Sequence, residues 1–267
     1  VTTVERAGVT LSAEVAGEGT PVVLLHGLTA TRRYVVMGSR ALERSGHRMV
    51  AYDARGHGES SGAPDRDYSY EALAADLGAV LDAHAIDRAV LAGASMGAQT
   101  LLRFALDHPD RVSALCAITP AYTPETFGDP DSLARWDALA EGLRSGGIDG
   151  FVAAYGDGGV ADSMRETVLK VIRQRLSQHK HLDAVADALQ AVPRSRPFET
   201  IEDLAAISVP TAIVASRDEF DPGHPLEVGE RYAAAIPGAR LVIEEPGKSP
   251  LAWQGSQVSK VIAELAA

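Results

Sequence analysis

The sequence predicts an α/β protein: a mostly parallel, twisted sheet with helices on both faces and one helical insertion. Three observations carry that expectation. Short β-branched runs alternate with longer amphipathic segments at both ends of the chain, the rhythm of doubly buried strands and the helices that connect them. The rhythm breaks once, from about Pro120 to Ile207, where apolar residues recur at steps of three and four instead. One strand-to-helix junction reads Gly93-Ala94-Ser95-Met96-Gly97, a serine bracketed by glycines where the chain must turn sharply.

Taken in order, "TTVERAG" and "TLSAEVA" form an opening hairpin. "PVVLLH" (21–26), "RMVAYD" (48–53), "RAVLAGA" (88–94), "VSALCAIT" (112–119), "TAIVAS" (211–216) and "ARLVIEE" (239–245) then supply the parallel strands. Between them, "YSYEALAADLGAVLDAHAI" sets Tyr70, Leu73, Leu77, Val80, Leu81 and His84 at helical spacing, so that one face packs on the sheet and His84 is a half-buried residue at the helix end. "SPLAWQGSQVSKVIAEL" reads as the closing helix. Inside the break, "DSLARWDALAEGLRSGG" and "SMRETVLKVIRQRLSQHKHLDAVADALQAV" are helical, with Met164, Val168, Val171 and Ile172, then Leu182, Val185 and Leu189, in register. The expected division is a core of residues 1–120 and 208–267 and a helical cap of residues 121–207. Within the cap, Lys170, Arg173, Arg175 and Lys180 read as a solvated face, and His179 and His181 would diverge on a helix, which speaks against a metal site.

The chain of 267 residues is long enough for a substantial core, and 25 Lys and Arg against 36 Asp and Glu give a net charge of -11. Such a balance repels nucleic acid and anionic membrane surfaces, so a small-molecule partner is expected. The single cysteine, Cys116, lies in the apolar run "SALCAIT" and reads as a buried structural thiol. No basic-then-apolar leader pattern opens the sequence and no segment nears the ~20 apolar residues of a membrane span, so a cytoplasmic protein is expected. No cofactor and no metal is expected.

The chemistry centres on Ser95. A turn this sharp strains the serine backbone and lifts its hydroxyl to the C-terminal end of the strand, at a helix N-terminus, where it can act as a nucleophile. His26-Gly27-Leu28 follows the first parallel strand, so the backbone N–H groups of Leu28 and Met96 are the expected pair of oxyanion donors. His26 itself reads as a brace for that loop.

With His26-Gly27, "DARGHGES" (Asp53 to Ser60), "GASMG" and the inserted helices, the chain resembles the α/β-hydrolase superfamily over nearly its whole length. The resemblance implies a structural role for Asp53, Arg55, Gly56, Gly58 and Ser60, which leaves His57 a poor catalytic candidate. It also implies the serine-nucleophile branches, which act on esters, lactones and related acyl compounds; dehalogenases and epoxide hydrolases carry aspartate at the elbow. The superfamily's acid follows the next-to-last strand, which implies Asp218, with Asp221 its competitor. The superfamily's histidine belongs in "EEPGKSPL", where this chain has Lys248. An ion pair with Asp218 would leave that lysine a cation unable to take the serine proton, and hydrolysis of simple esters is then expected to be weak. The last histidine in the chain, His224 in "DPGHP", is the alternative base or a substrate contact. The leading expectation is a hydrolase of small acyl substrates; a non-hydrolytic binding protein and a lyase of the same fold are the alternatives.

Overall fold

The computed structural model describes residues 1–156, 158–159, 162–217 and 221–266, with the backbone alone at 162 and 163. Its first two strands, β1 (Thr2–Arg6) and β2 (Val9–Ala16), form an antiparallel hairpin with Arg6 opposite Val9. The two-residue connection, Ala7 and Gly8, has positive φ at both positions, the conformation whose twist matches that of the flanking strands. β3 (Thr20–Leu25), β4 (His47–Tyr52), β5 (Ala89–Ala94), β6 (Val112–Ile118), β7 (Thr211–Ala215) and β8 (Arg240–Ile243) are mutually parallel. The sheet runs β1-β2-β4-β3-β5-β6-β7-β8, and each strand expected from the sequence is present within one or two residues of its expected ends.

The period-2 geometry of the strands divides their side chains between two cores. Val23, Leu25, Leu91, Leu115 and Ile213 point to a face covered by α2 (Tyr70–Ala83), α3 (Met96–Asp107) and α7 (Leu226–Ala235). Val22, Leu24, Val90, Cys116 and Val214 point to the other, covered by α1 (Ala41–Arg44) and α8 (Gly255–Leu265). The Ser69 hydroxyl caps α2 by accepting from Ala72 N–H at 3.2 Å. At the other end of α2, His84 is buried; its Nδ1 donates to Val80 O at 2.9 Å. Cys116 is wholly buried, and burial pushes its thiol pKa up to about 12.

Between β6 and β7 lie α4 (Pro130–Tyr155), kinked at Gly147, then α5 (Asp162–Leu176) and α6 (Leu182–Ala191). Ala140, Leu143, Phe151, Ile172, Leu176, Val185 and Leu189 give these helices a small core of their own. The expectation of continuous helix through His179 and His181 does not hold: α5 ends at Leu176 and α6 begins at Leu182. His179 is instead buried in the connection, where its Nδ1 accepts from Gly58 N–H at 2.7 Å and its Nε2 donates to Thr29 O at 3.1 Å. Those two bonds tie the helical segment to two loops of the sheet. Among the described residues no helix is long and apolar enough to cross a membrane.

Candidate active site

The register of the sheet assembles the site. Leu25 of β3 lies opposite Gly93 of β5, so the loops that leave these strands emerge side by side. At the end of β5, Ser95 has φ 49° and ψ -110°, a strained conformation for a residue with a side chain. The flanking glycines permit it: a Cβ on Gly97 would overlap the Leu25 carbonyl, and one on Gly93 would overlap the carbonyl of Gly97. Ser95 N–H is held by Ile118 O at 2.9 Å, and α3 starts at the next residue, so Met96 N–H belongs to the unpaired first turn of the helix.

Beside it, residues 27–30 make a turn closed by Ala30 N–H to Gly27 O at 3.0 Å, with Thr29 at φ 66°. That bond leaves Leu28 N–H unused by the turn itself. Gly27 abuts the elbow; a Cβ there would lie 3.3 Å from Ser95 Cβ. Leu28 packs against both the sheet core and the core of the inserted helices. His26 braces this loop: its Nδ1 donates to Gly27 O at 2.8 Å and its Nε2 accepts from Ala54 N–H at 2.9 Å. Both ring nitrogens are used, and burial lowers its pKa despite the nearby Asp53 carboxylate.

His57 sits 5.1 Å from the His26 ring and 5.5 Å from that of His179. Its Nδ1 donates to Arg55 O at 2.9 Å while its Nε2 has no partner among the described residues. Burial, then the two neighbouring imidazoles, holds its pKa well below the ordinary histidine value. Around it the "DARGHGES" loop is scaffold. Arg55 makes two bonds of 2.7 Å to buried Asp76, and the Ser60 hydroxyl donates to Asp53 O at 2.7 Å.

The contact that sequence reasoning placed last is the one made to the Ser95 hydroxyl. His224 Nε2 lies 3.0 Å from Ser95 Oγ. Its Nδ1 is 2.9 Å from each carboxylate oxygen of Asp221. An ionised carboxylate only accepts, so Nδ1 carries the proton and Nε2 is left to accept from the serine hydroxyl. His224 is not on α7, which begins at Leu226. It stands in the preceding turn, closed by His224 N–H to Asp221 O at 3.0 Å.

Lys248 is not brought to Ser95. Its side chain is exposed and makes no hydrogen bond or ion pair among the described residues; its N–H closes a turn on Glu245 O at 3.1 Å. Asp218, the other half of the expected ion pair, lies outside the described residues. The loop after β8 serves instead through Glu244, which is buried and accepts from Arg217 N–H at 2.6 Å and Leu251 N–H at 3.0 Å. Its carboxylate thus joins the loops that follow β7 and β8. Among the described residues no group of three or more His, Cys, Asp or Glu could hold a metal ion.

Residues 20–255 match the family described as alpha/beta hydrolase fold. The chain belongs to that family. The AB hydrolase superfamily protein YisY of Bacillus subtilis is 27% identical to this alpha/beta hydrolase over 244 residues, 86% of this chain and 87% of the relative. An enzyme described as degrading N-acyl homoserine lactones, Est816, is 28% identical and superposes with a TM-score of 0.77 over 99% of this chain and 98% of its own. A thermophilic esterase from Thermogutta terrifontis is 27% identical, with a TM-score of 0.81 over 98% and 96%. By their descriptions, these two relatives of this alpha/beta hydrolase are an N-acyl homoserine lactone degrading enzyme and an esterase.

Proposed function

We propose that this chain is a serine hydrolase of small acyl compounds, esters or lactones, in which His224 rather than a residue after β8 is the base. One observation carries the proposal: the 3.0 Å contact between His224 Nε2 and Ser95 Oγ. Ser95 Oγ attacks the acyl carbon as His224 Nε2 takes its proton, and the ionised Asp221 stabilises the imidazolium through Nδ1. Negative charge grows on the former carbonyl oxygen, where Leu28 N–H and Met96 N–H serve as donors and the positive end of α3 adds to them. His224 then returns the proton to the leaving oxygen. Water, deprotonated by the same Nε2, cleaves the acyl-serine and restores the free hydroxyl.

The closeness of Gly27 to the Ser95 side chain and the strained serine backbone support the same reading, as do the descriptions of the lactone-degrading and esterase relatives. The residue 121–207 segment is proposed as the cap, because Leu28 packs against its core as well as against that of the sheet. The binding-protein and lyase readings rest on the lack of a histidine at residue 248, a lack that the His224 contact offsets.

Hydrolysis of 4-nitrophenyl acetate tests the assignment. Ser95→Ala should abolish it, and His224→Ala should lower kcat by on the order of 10⁴ to 10⁶. Lys248→Met should stay within about threefold of the parent, as a change on an exposed side chain does. Loss of turnover in Lys248→Met with retention in His224→Ala would reverse the assignment.

A further inference from the structure

The basic run on α5 is not uniformly solvated. Arg173 is exposed and pairs with Asp149, and Lys180, just beyond the helix, pairs with Glu59 at 3.4 Å. Arg175 turns the other way. Its Nη2 donates to Thr29 Oγ1 at 3.1 Å, its Nε is closed off from solvent without a partner, and its Nη1 makes no hydrogen bond to a described residue. No carboxylate among the described residues lies within ion-pair distance of it, although the chain carries 36 of them.

A covered guanidinium without a counter-ion is costly, and proteins pair such groups almost without exception. Here burial lowers the Arg175 pKa, against the weaker pull of the Tyr34 and Tyr155 phenols and the Asp221 carboxylate. No hydrogen bond or ion pair joins it to Asp221, whose carboxylate meets His224 Nδ1 instead. Thr29, the residue that Arg175 does touch, immediately follows Leu28 in the turn that abuts Ser95. The cation, unpaired among the described residues, therefore reaches the turn whose Gly27 abuts Ser95, between the inserted helices and the sheet.

We propose that Arg175, with the Thr29 hydroxyl, binds an ionised carboxylate on the substrate, so that the preferred substrates are acyl compounds carrying a second acid group, such as half-esters of dicarboxylic acids. The inference rests on the Ser95–His224 reading of the site. A single cation beside a hydroxyl donor suits a monoanion; a phosphate dianion would be left half-neutralised with Asp221 close by. A local partner is also what an anionic substrate needs to dock on a molecule of net charge -11.

The test compares kcat/KM for monomethyl and dimethyl esters of succinate, glutarate and adipate. The parent should favour the monoester of the best-fitting length by about tenfold or more, the scale of a charge-assisted hydrogen bond. Arg175→Met should collapse that ratio to about one, chiefly through KM of the monoester, and Arg175→Lys should restore part of it. A ratio unchanged in Arg175→Met overturns the proposal. A second readout needs no turnover: Ser95→Ala titrated with the free dicarboxylates in a calorimeter should bind one of them, and Ser95→Ala/Arg175→Met should not. Binding lost with Arg175 supports the site even if no ester is hydrolysed; equal or absent binding in the two proteins overturns it.

Discussion

At the scale of single residues, the Ser95 elbow is legible because its neighbours are constrained by sterics that leave a trace in the sequence. Gly93 and Gly97 are glycines because backbone carbonyls occupy the space of their side chains. Gly97→Ala should therefore cost about 2 kcal/mol or more of stability, since a fixed carbonyl of β3 cannot yield as a side-chain end can, and a thermal melt will read it. His224 leaves a weaker trace. His224 was visible only as a histidine on the right edge of the sheet, and the superfamily pattern drew attention to Lys248 instead. What makes the contact with Ser95 is the path of the turn after Asp221, a three-dimensional property with no periodicity to read. Arg175 was hidden for a related reason: helical spacing tells which residues share a face, and the exposed Arg173 lies only two residues away. The closed-off Nε separates them only once coordinates exist.

At the scale of elements, strands and long helices were legible because their periodicities are strong, and the connections were not. The His179 segment shows why. No apolar residue falls between Leu176 and Leu182, so this stretch offers no periodicity to read, and here the chain leaves the helix while His179 satisfies Gly58 N–H and Thr29 O, two groups far away along the chain. The "DARGHGES" loop is the opposite case, where the superfamily pattern signalled a structural element and the interactions explain it. Arg55 and Asp76 are 2% and 0% exposed and meet in two bonds of 2.7 Å. Burial alone would lower the Arg55 pKa, and the Asp76 carboxylate more than offsets it, so the net direction is upward. Asp76→Asn would strand a buried cation and should destabilise the fold by about 3 to 5 kcal/mol in a denaturant melt. Glu264→Gln, which breaks the exposed pair with Arg240, should leave the same melt nearly unmoved.

At the scale of the whole molecule, three buried imidazoles make stability depend on acid. Burial brings the His179 pKa down to about 4 and lowers those of His57 and His26 as well. In the unfolded chain these groups titrate near ~6.5. Between the two values the unfolded state binds more protons, so the stabilisation from neutral imidazole is complete above about pH 6.5 and is lost as pH falls toward 4. His179 alone accounts for up to about 3 kcal/mol of that loss. Denaturant melts at pH 7.5 and 4.5 should show it, and His179→Gln, which retains an acceptor for Gly58 N–H, should lose less stability between those two conditions than the parent.

Asp221 and His224 stand three residues apart in one turn, whereas the superfamily pattern spreads acid and histidine over two loops separated by a helix and a strand. On the proposed mechanism one short segment then carries both acid and base, so a single local change of backbone moves the two together. Replacing residues 221–224 as a block would exchange the proposed pair whole, while the loop after β8 contributes the Glu244 bridge. The proposed pair and the exposed Lys248 side chain sit on separate loops, so a change at residue 248 leaves the geometry of the pair alone.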